Sequence, residues 1–246
     1  MSDIMRITIM RRAMALLTAL LLLAVCSACN GEPETPPTTP QYRSVEDGEP
    51  SSGERGSIMI TELAWAGSVN NAGEWDPDDV FIELQNRSSR PVNVSNWRLI
   101  VEGDYVKTHR IPTITEPIPP SGFFVIAAKR DGAFADSADV FIENLKLGKV
   151  YVLVELRDND RRLQESAGSL RERVFNGGYD TYGTRSMERV QLIFGNQGNV
   201  SRSWHANGDF LGYETVGENY RERTFATPGV ANSADYSGSS WGGNFD

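Results

Sequence analysis

From Gly56 onward the sequence is built of short runs of β-branched and aromatic residues separated by turn-forming residues, and little of it keeps helical spacing. That pattern constrains the fold more than any other feature of the chain. The clearest runs are residues 58–63, 80–84, 97–101, 123–128, 150–156 and 190–194, each expected to be a strand. In the third, Trp97, Leu99 and Val101 fall on one face while Arg98, Ile100 and Glu102 fall on the other. Turn chemistry separates the runs, as in Ser88-Ser89-Arg90-Pro91, Pro119-Pro120-Ser121-Gly122 and Asn176-Gly177-Gly178. Only residues 161–175 are suited to a short helix, which Gly168 weakens. Many short strands with long loops predict an all-β chain folded as a β-sandwich, and the absence of alternating βα units argues against a nucleotide-binding α/β fold.

Three segments flank this domain, which is assigned to residues 56–232. Residues 1–28 have the order of a secretory signal: the basic pair Arg11-Arg12, an apolar run over 13–25 broken only by Thr18, then small residues. A membrane-spanning helix needs about 20 apolar residues, so a signal anchor is the weaker alternative. Ala13-Met14-Ala15 lacks the rest of a twin-arginine pattern, which favours the general secretion route. Residues 29–55 are rich in Pro, Glu, Thr, Ser and Gly, as in Pro36-Pro37-Thr38-Thr39-Pro40, and are expected to form a disordered tether reaching roughly 28 Å. Residues 233–246 form a Gly/Ser-rich tail carrying Tyr236, Trp241 and Phe245, suited either to contact glycan or protein or to fold back on the domain.

The chain's two cysteines, Cys26 and Cys29, both lie at the end of the apolar run. Neither a disulfide across the domain nor a metal site with only His109 and His205 in support suits that placement. The stretch Leu23-Ala24-Val25-Cys26-Ser27-Ala28-Cys29 resembles a bacterial lipobox, in which a cysteine takes a thioether-linked diacylglycerol and becomes the new amino terminus. Ser27-Ala28 before Cys29 favours that residue; Cys26 is the alternative. Two or three acyl chains would hold the protein stably to a membrane, since each buried CH₂ contributes roughly 0.8 kcal/mol.

Within the domain a second resemblance emerges. Ile58-Met59-Ile60-Thr61-Glu62-Leu63, Phe81-Ile82-Glu83-Leu84-Gln85-Asn86 and Pro91-Val92-Asn93-Val94-Ser95-Asn96-Trp97-Arg98-Leu99 resemble the opening strands of the lamin-tail domain. Residues 118–126, Ser186-Met187-Glu188-Arg189, Trp204 and the closing Ala226-Thr227-Pro228-Gly229-Val230-Ala231-Asn232 agree in order. The resemblance implies an immunoglobulin-like β-sandwich, found in bacteria on exported proteins, sometimes beside nuclease or hydrolase domains, and in eukaryotes as the protein- and DNA-contacting tail of nuclear lamins. The long charged segment 157–182 departs from the family. The positions shared with it, Glu62, Glu83, Asn86, Trp97, Arg189, Trp204, Pro228, Gly229 and Asn232, read as structural and carry over no catalytic role. Glu62 and Glu83 are expected to bond loop backbone N–H groups or pair with an arginine such as Arg189, the alternative being a general acid/base pair. Trp97 is expected to fill the core, and Pro228-Gly229 to end the last strand in a turn.

The net charge is −9, and removal of Arg6, Arg11, Arg12 and Asp3 with residues 1–28 takes it to −11. Such a chain repels nucleic acid and anionic lipid unless a basic patch intervenes. The nearest candidates, Arg157, Arg161, Arg162, Arg171 and Arg173, are interleaved with Asp158, Asp160, Glu165 and Glu172. Nucleophile-elbow, P-loop, dinucleotide and H-E-x-x-H zinc motifs are missing from the sequence. Asp76, Asp78 and Asp79, and Asp158 with Asp160, are weak calcium candidates, since neither cluster completes a known loop. The expectation is a non-enzymatic binding or structural module without cofactor beyond its acyl anchor. It is expected to be exported and lipid-anchored to the cell envelope, with outer membrane or cell surface favoured over inner membrane, and to contact a protein or envelope polymer. An accessory or metal-assisted envelope hydrolase acting on nucleic acid or glycan is the alternative.

Overall fold

The computed structural model describes residues 56–190, 197–208 and 214–235. These form fifteen strands: β1 (Ile58–Leu63), β2 (Ser68–Val69), β3 (Trp75–Asp76), β4 (Phe81–Asn86), β5 (Arg98–Gly103), β6 (Val106–Arg110), β7 (Phe123–Ala127), β8 (Val140–Phe141), β9 (Val152–Arg157), β10 (Leu163–Ser169), β11 (Gly178–Tyr179), β12 (Thr184–Arg185), β13 (Met187–Arg189), β14 (Trp204–Ala206) and β15 (Thr224–Phe225). Helical structure among the described residues is confined to short 3₁₀ turns. The chain is all-β. The expected signal, both cysteines, the tether and the aromatic tail from Tyr236 onward lie outside the described residues, as does most of the run expected at 190–194.

One sheet has the order β14-β13-β1-β4-β7-β8, and a second the order β10-β9-β5-β6. The chain passes repeatedly between them, from β4 to β5, from β6 to β7 and from β10 to β13. Ile58, Ile60, Ile82 and Leu84 of the first sheet meet Leu99, Val101, Val154 and Leu156 of the second in one buried core that also holds Trp97, Met187 and Trp204. In β5 the expected alternation is realised: Leu99 and Val101 are buried and Ile100 and Glu102 partly exposed. The first sheet is covered on its other face too. Phe81, Val125 and Ala127 pack there against Ala133, Phe134, Val216 and Ala226 of the loops, which is why β4 is buried at five of its six positions.

A single extra residue in β1 decides which side chains reach the outer face of the first sheet. Ile60 pairs with Leu84, but Glu62 pairs with Glu83, so Thr61 forms a bulge. Strict alternation would point Glu62 into the core beside Ile58 and Ile60. The bulge instead returns Leu63 to the core opposite Ile82 and sets Glu62 beside Glu83 on the outer face.

The helix expected over 161–175 is absent, and β10 occupies its first half as the antiparallel partner of β9. The cause is the preceding turn. Asp158 Oδ1 accepts the Arg162 N–H at 2.8 Å, and Arg161 adopts a φ of 62°, which sends the chain straight back along β9. Gly168 then lies against β9 so closely that a Cβ would stand 2.1 Å from the Val152 carbonyl oxygen. Cross-strand pairing thus overrides local helical spacing.

Candidate functional site

The glutamates of the sequence pattern converge on one structural device. Glu188 of β13, Glu62 of β1 and Glu83 of β4 are direct cross-strand neighbours, and none has any exposed surface. Their acceptors hold the closing segment of the domain. Glu62 Oε1 accepts the Thr227 N–H at 2.9 Å, Glu83 Oε2 the Gly229 N–H at 2.7 Å, and Glu188 Oε2 the Ser233 N–H at 3.0 Å. Between the first two of these attachments, Pro228 and Gly229 make a turn closed by Val230 N–H on the Thr227 carbonyl at 3.2 Å, with Gly229 at φ 82°. Asn232 Nδ2 completes the attachment through the Thr61 and Arg189 carbonyls at 3.0 and 2.9 Å.

The hydrogens in this row can be counted. Thr227 Oγ1 stands 2.9 Å from Glu62 Oε2 and 2.8 Å from Glu188 Oε1. A hydroxyl donates only one hydrogen, so one of the two carboxyls must supply another. Burial, then the charges of Glu188 and Glu83, raises the Glu62 carboxyl well above its ordinary value. Burial also pushes Glu83 up to about 8, against the lowering effect of its bonds from Thr61 and Gly229. Because the row has no exposed surface, neither Glu62 nor Glu83 can meet a substrate in this conformation.

Arg189 does not pair with either of them. Alternation along β13 sends Glu188 to the outer face and Arg189 inward, where Nη2 lies 3.5 Å from Glu165 Oε1 of β10 and the guanidinium lies 4.9 Å from the Trp204 ring. It therefore joins the two sheets. Trp97 is 4% exposed in the same core. Asn86 fixes the turn after β4, donating to the Arg90 and Ile118 carbonyls at 2.7 and 2.9 Å.

The acidic clusters are engaged by protein groups. Asp76 pairs with Lys129, and Asp78 with Lys146 at 2.9 Å. Asp79 Oδ2 accepts Ser68 Oγ at 2.6 Å and the Ala133 N–H at 2.7 Å, and burial raises its pKa. Asp158 turns into its own hairpin, accepting Gln164 Nε2 at 2.8 Å, and Asp160 pairs with Arg162 at 3.2 Å. Among the described residues no three His, Cys, Asp or Glu side chains are grouped to hold a metal ion. His109 and His205 are both buried and in different sheets, and burial lowers the His109 pKa.

A different region carries the exposed chemistry. Two small hairpins, β2–β3 and β11–β12, are drawn together with β15, which lies parallel to β12. The buried Thr224 hydroxyl joins the two groups, accepting the Val69 N–H at 2.8 Å and donating to the Val69 carbonyl at 2.9 Å. Lys149 braces the β2–β3 side by donating to the Trp65 and Pro77 carbonyls, and burial lowers its pKa to about 8. On this frame Trp75 and Tyr179 stack with ring centroids 4.9 Å apart, yet 47% and 54% of these residues remain exposed. Trp75 is oriented by its indole N–H on the Ala66 carbonyl at 2.9 Å.

The same β11–β12 hairpin borders a cavity of about 410 Å³ lined by Tyr182, Arg185, Glu222, Arg223 and Phe225. Tyr182 stands in the hairpin turn, 76% exposed, where Asp180 Oδ1 accepts the Tyr182 and Gly183 N–H groups at 2.7 and 3.1 Å. Register places Tyr179 with Thr184 and Thr224 on one side of the small sheet and Arg185 with Phe225 on the other. The stacked pair and the cavity therefore flank one hairpin. No sequence motif joins position 75 to 179, or 185 to 223; only the tertiary pairing brings them together. No family model matches this chain, and no curated protein matches it.

Proposed function

We propose that the chain is a lipid-anchored binding module of the bacterial cell envelope. In this reading Cys29, or else Cys26, carries the acyl chains, residues 29–55 form the tether, and an immunoglobulin-like sandwich of lamin-tail type is held clear of the membrane. The aromatic hairpins touch an envelope polymer. The observation that carries this reading is the Trp75–Tyr179 stack, fixed in orientation and half exposed at the junction of two hairpins. Rigid aromatic rings left in water by a chain that buries Trp97 and Trp204 mark a contact surface. Loop hairpins on a rigid sandwich are also where binding residues concentrate.

The test uses the full chain with Cys26→Ala and Cys29→Ala, so that no acyl chain contributes, sedimented with insoluble cell-wall polysaccharide. Retention is expected, with loss on Trp75→Ala or Tyr179→Ala in protein that stays folded, its Tm lowered by no more than about 5 °C. Retention unaffected by either substitution contradicts the reading. Lipid attachment is tested separately by palmitate labelling in cells, which is expected to disappear on Cys29→Ala and to persist on Cys26→Ala.

A further inference from the structure

The cavity beyond the hairpin combines three kinds of recognition group. The Arg185 guanidinium lies 4.4 Å from the Phe225 ring, and its Nη1 donates to the Asn207 carbonyl at 2.8 Å. Arg223 lines the same cavity and donates through Nη1 to the Tyr182 carbonyl at 3.4 Å. Both cations are thus positioned before any ligand arrives, which lowers the entropy lost on binding. The exposed Tyr182 ring and the Glu222 carboxylate complete the lining.

We propose that this cavity binds an acidic sugar, a pyranose ring bearing a carboxylate, presented on an envelope polysaccharide. The inference rests on the reading of the hairpins as a contact surface and specifies the ligand class. A guanidinium fork matches a carboxylate in shape and charge. The C–H groups on the apolar face of a pyranose carry slight positive charge and meet the negative face of the Tyr182 ring. Glu222 accepts hydrogen bonds from sugar hydroxyls and disfavours a densely charged ligand. A bare phosphate would engage the arginines alone and leave the tyrosine and glutamate without a role. The volume of about 410 Å³ lies in the range of roughly 300–1,000 Å³ usual for small-ligand sites. The chain's charge of −9 repels polyanions at long range, but at about 0.15 M salt that field is screened beyond about 8 Å and contact bonds decide.

The experiment compares polygalacturonate and alginate with methyl-esterified polygalacturonate, which keeps the sugar rings and removes the charge. Binding is measured by calorimetry at about 0.15 M salt on the full chain with Cys26→Ala and Cys29→Ala. At least one acid polymer is expected to bind about tenfold more tightly than the ester, with Arg223→Gln and Tyr182→Ala each weakening it by a similar factor. Equal binding of acid and ester overturns the inference while leaving the contact surface standing. Failure of both acids to bind, with Trp75-dependent retention on cell-wall polysaccharide intact, does the same. Loss of that retention as well removes both readings.

Discussion

Glu83→Gln removes a titrating carboxyl while keeping its shape. Glu83 Oε2 accepts the Gly229 N–H at 2.7 Å, and Oε1 accepts the Thr61 hydroxyl at 2.6 Å. In E83Q the amide oxygen takes the Gly229 N–H and the amide nitrogen donates to Thr61 Oγ1. The hydroxyl hydrogen then turns to the backbone carbonyl of residue 83, 3.5 Å away. Both buried contacts survive, and only the titration is lost. Burial raises this carboxyl from 4.5 to about 8, so between those values the folded protein holds a proton that the unfolded chain has released. The contribution to stability is fully present below pH 4.5 and is lost as pH rises through about 8. At about 1.4 kcal/mol per pH unit the interval corresponds to a loss on the order of 5 kcal/mol, or about 15 °C in Tm for a domain of this size. Urea unfolding of both proteins at about pH 5 and pH 8.5 measures it. The two are expected to agree within about 1 kcal/mol on the acid side, with E83Q the more stable by several kcal/mol on the alkaline side. Taking the difference between the proteins cancels distant groups such as His109 and Lys149; Glu62, whose carboxyl the Glu83 charge helps to raise, does not cancel and adds to the alkaline-side gain of E83Q. Parallel loss of stability in both would refute the reasoning.

Three other substitutions probe neighbouring contacts. Thr227→Val removes the hydroxyl shared by Glu62 and Glu188; a loss of about 1–3 kcal/mol is expected in urea unfolding, with Thr227→Ser retaining most of the stability. Arg189→Met strands Glu165, whose side chain is 17% exposed, and is expected to cost about 3 kcal/mol. Because burial raises the Glu165 pKa, that cost shrinks at acid pH, where a protonated Glu165 needs no cation, and chemical denaturation across pH reads the change. Gly168→Ala places a Cβ 2.1 Å from the Val152 carbonyl oxygen; a loss of at least about 2 kcal/mol is expected, and wild-type stability in that variant would contradict the close pairing of β9 with β10.

The frame of the domain was legible because its strands alternate. Residues 58–63 and 123–128 read as strands and fold as β1 and β7, with edges within one residue. The apolar stripe of Trp97, Leu99 and Val101 faces the core for the same reason. The return strand β10 was not legible. Its charged composition hides a buried Gln164 and Ala167, and the turn that creates it depends on Arg161 at positive φ, where glycine or asparagine is usual. The bonding of Glu62 and Glu83 to backbone N–H groups was anticipated, but Glu188 as third member was not, because only the register of β13 on β1 brings it alongside. Arg189, the other partner open to these carboxylates, turns the opposite way, since the period of two separates it from its neighbour Glu188. The aromatic hairpins escaped entirely: strands of two residues carry no periodic signal, and Trp75 and Tyr179 are about a hundred positions apart.

The central claim is that the half-exposed Trp75–Tyr179 stack is a binding surface. Sedimentation of the unlipidated full chain with insoluble cell-wall polysaccharide tests it most directly. Protein with both aromatic rings intact is expected to be retained, and Trp75→Ala and Tyr179→Ala to remain in the supernatant while still folded, with Tm lowered by no more than about 5 °C. Equal retention of all three proteins, or of none, would contradict it.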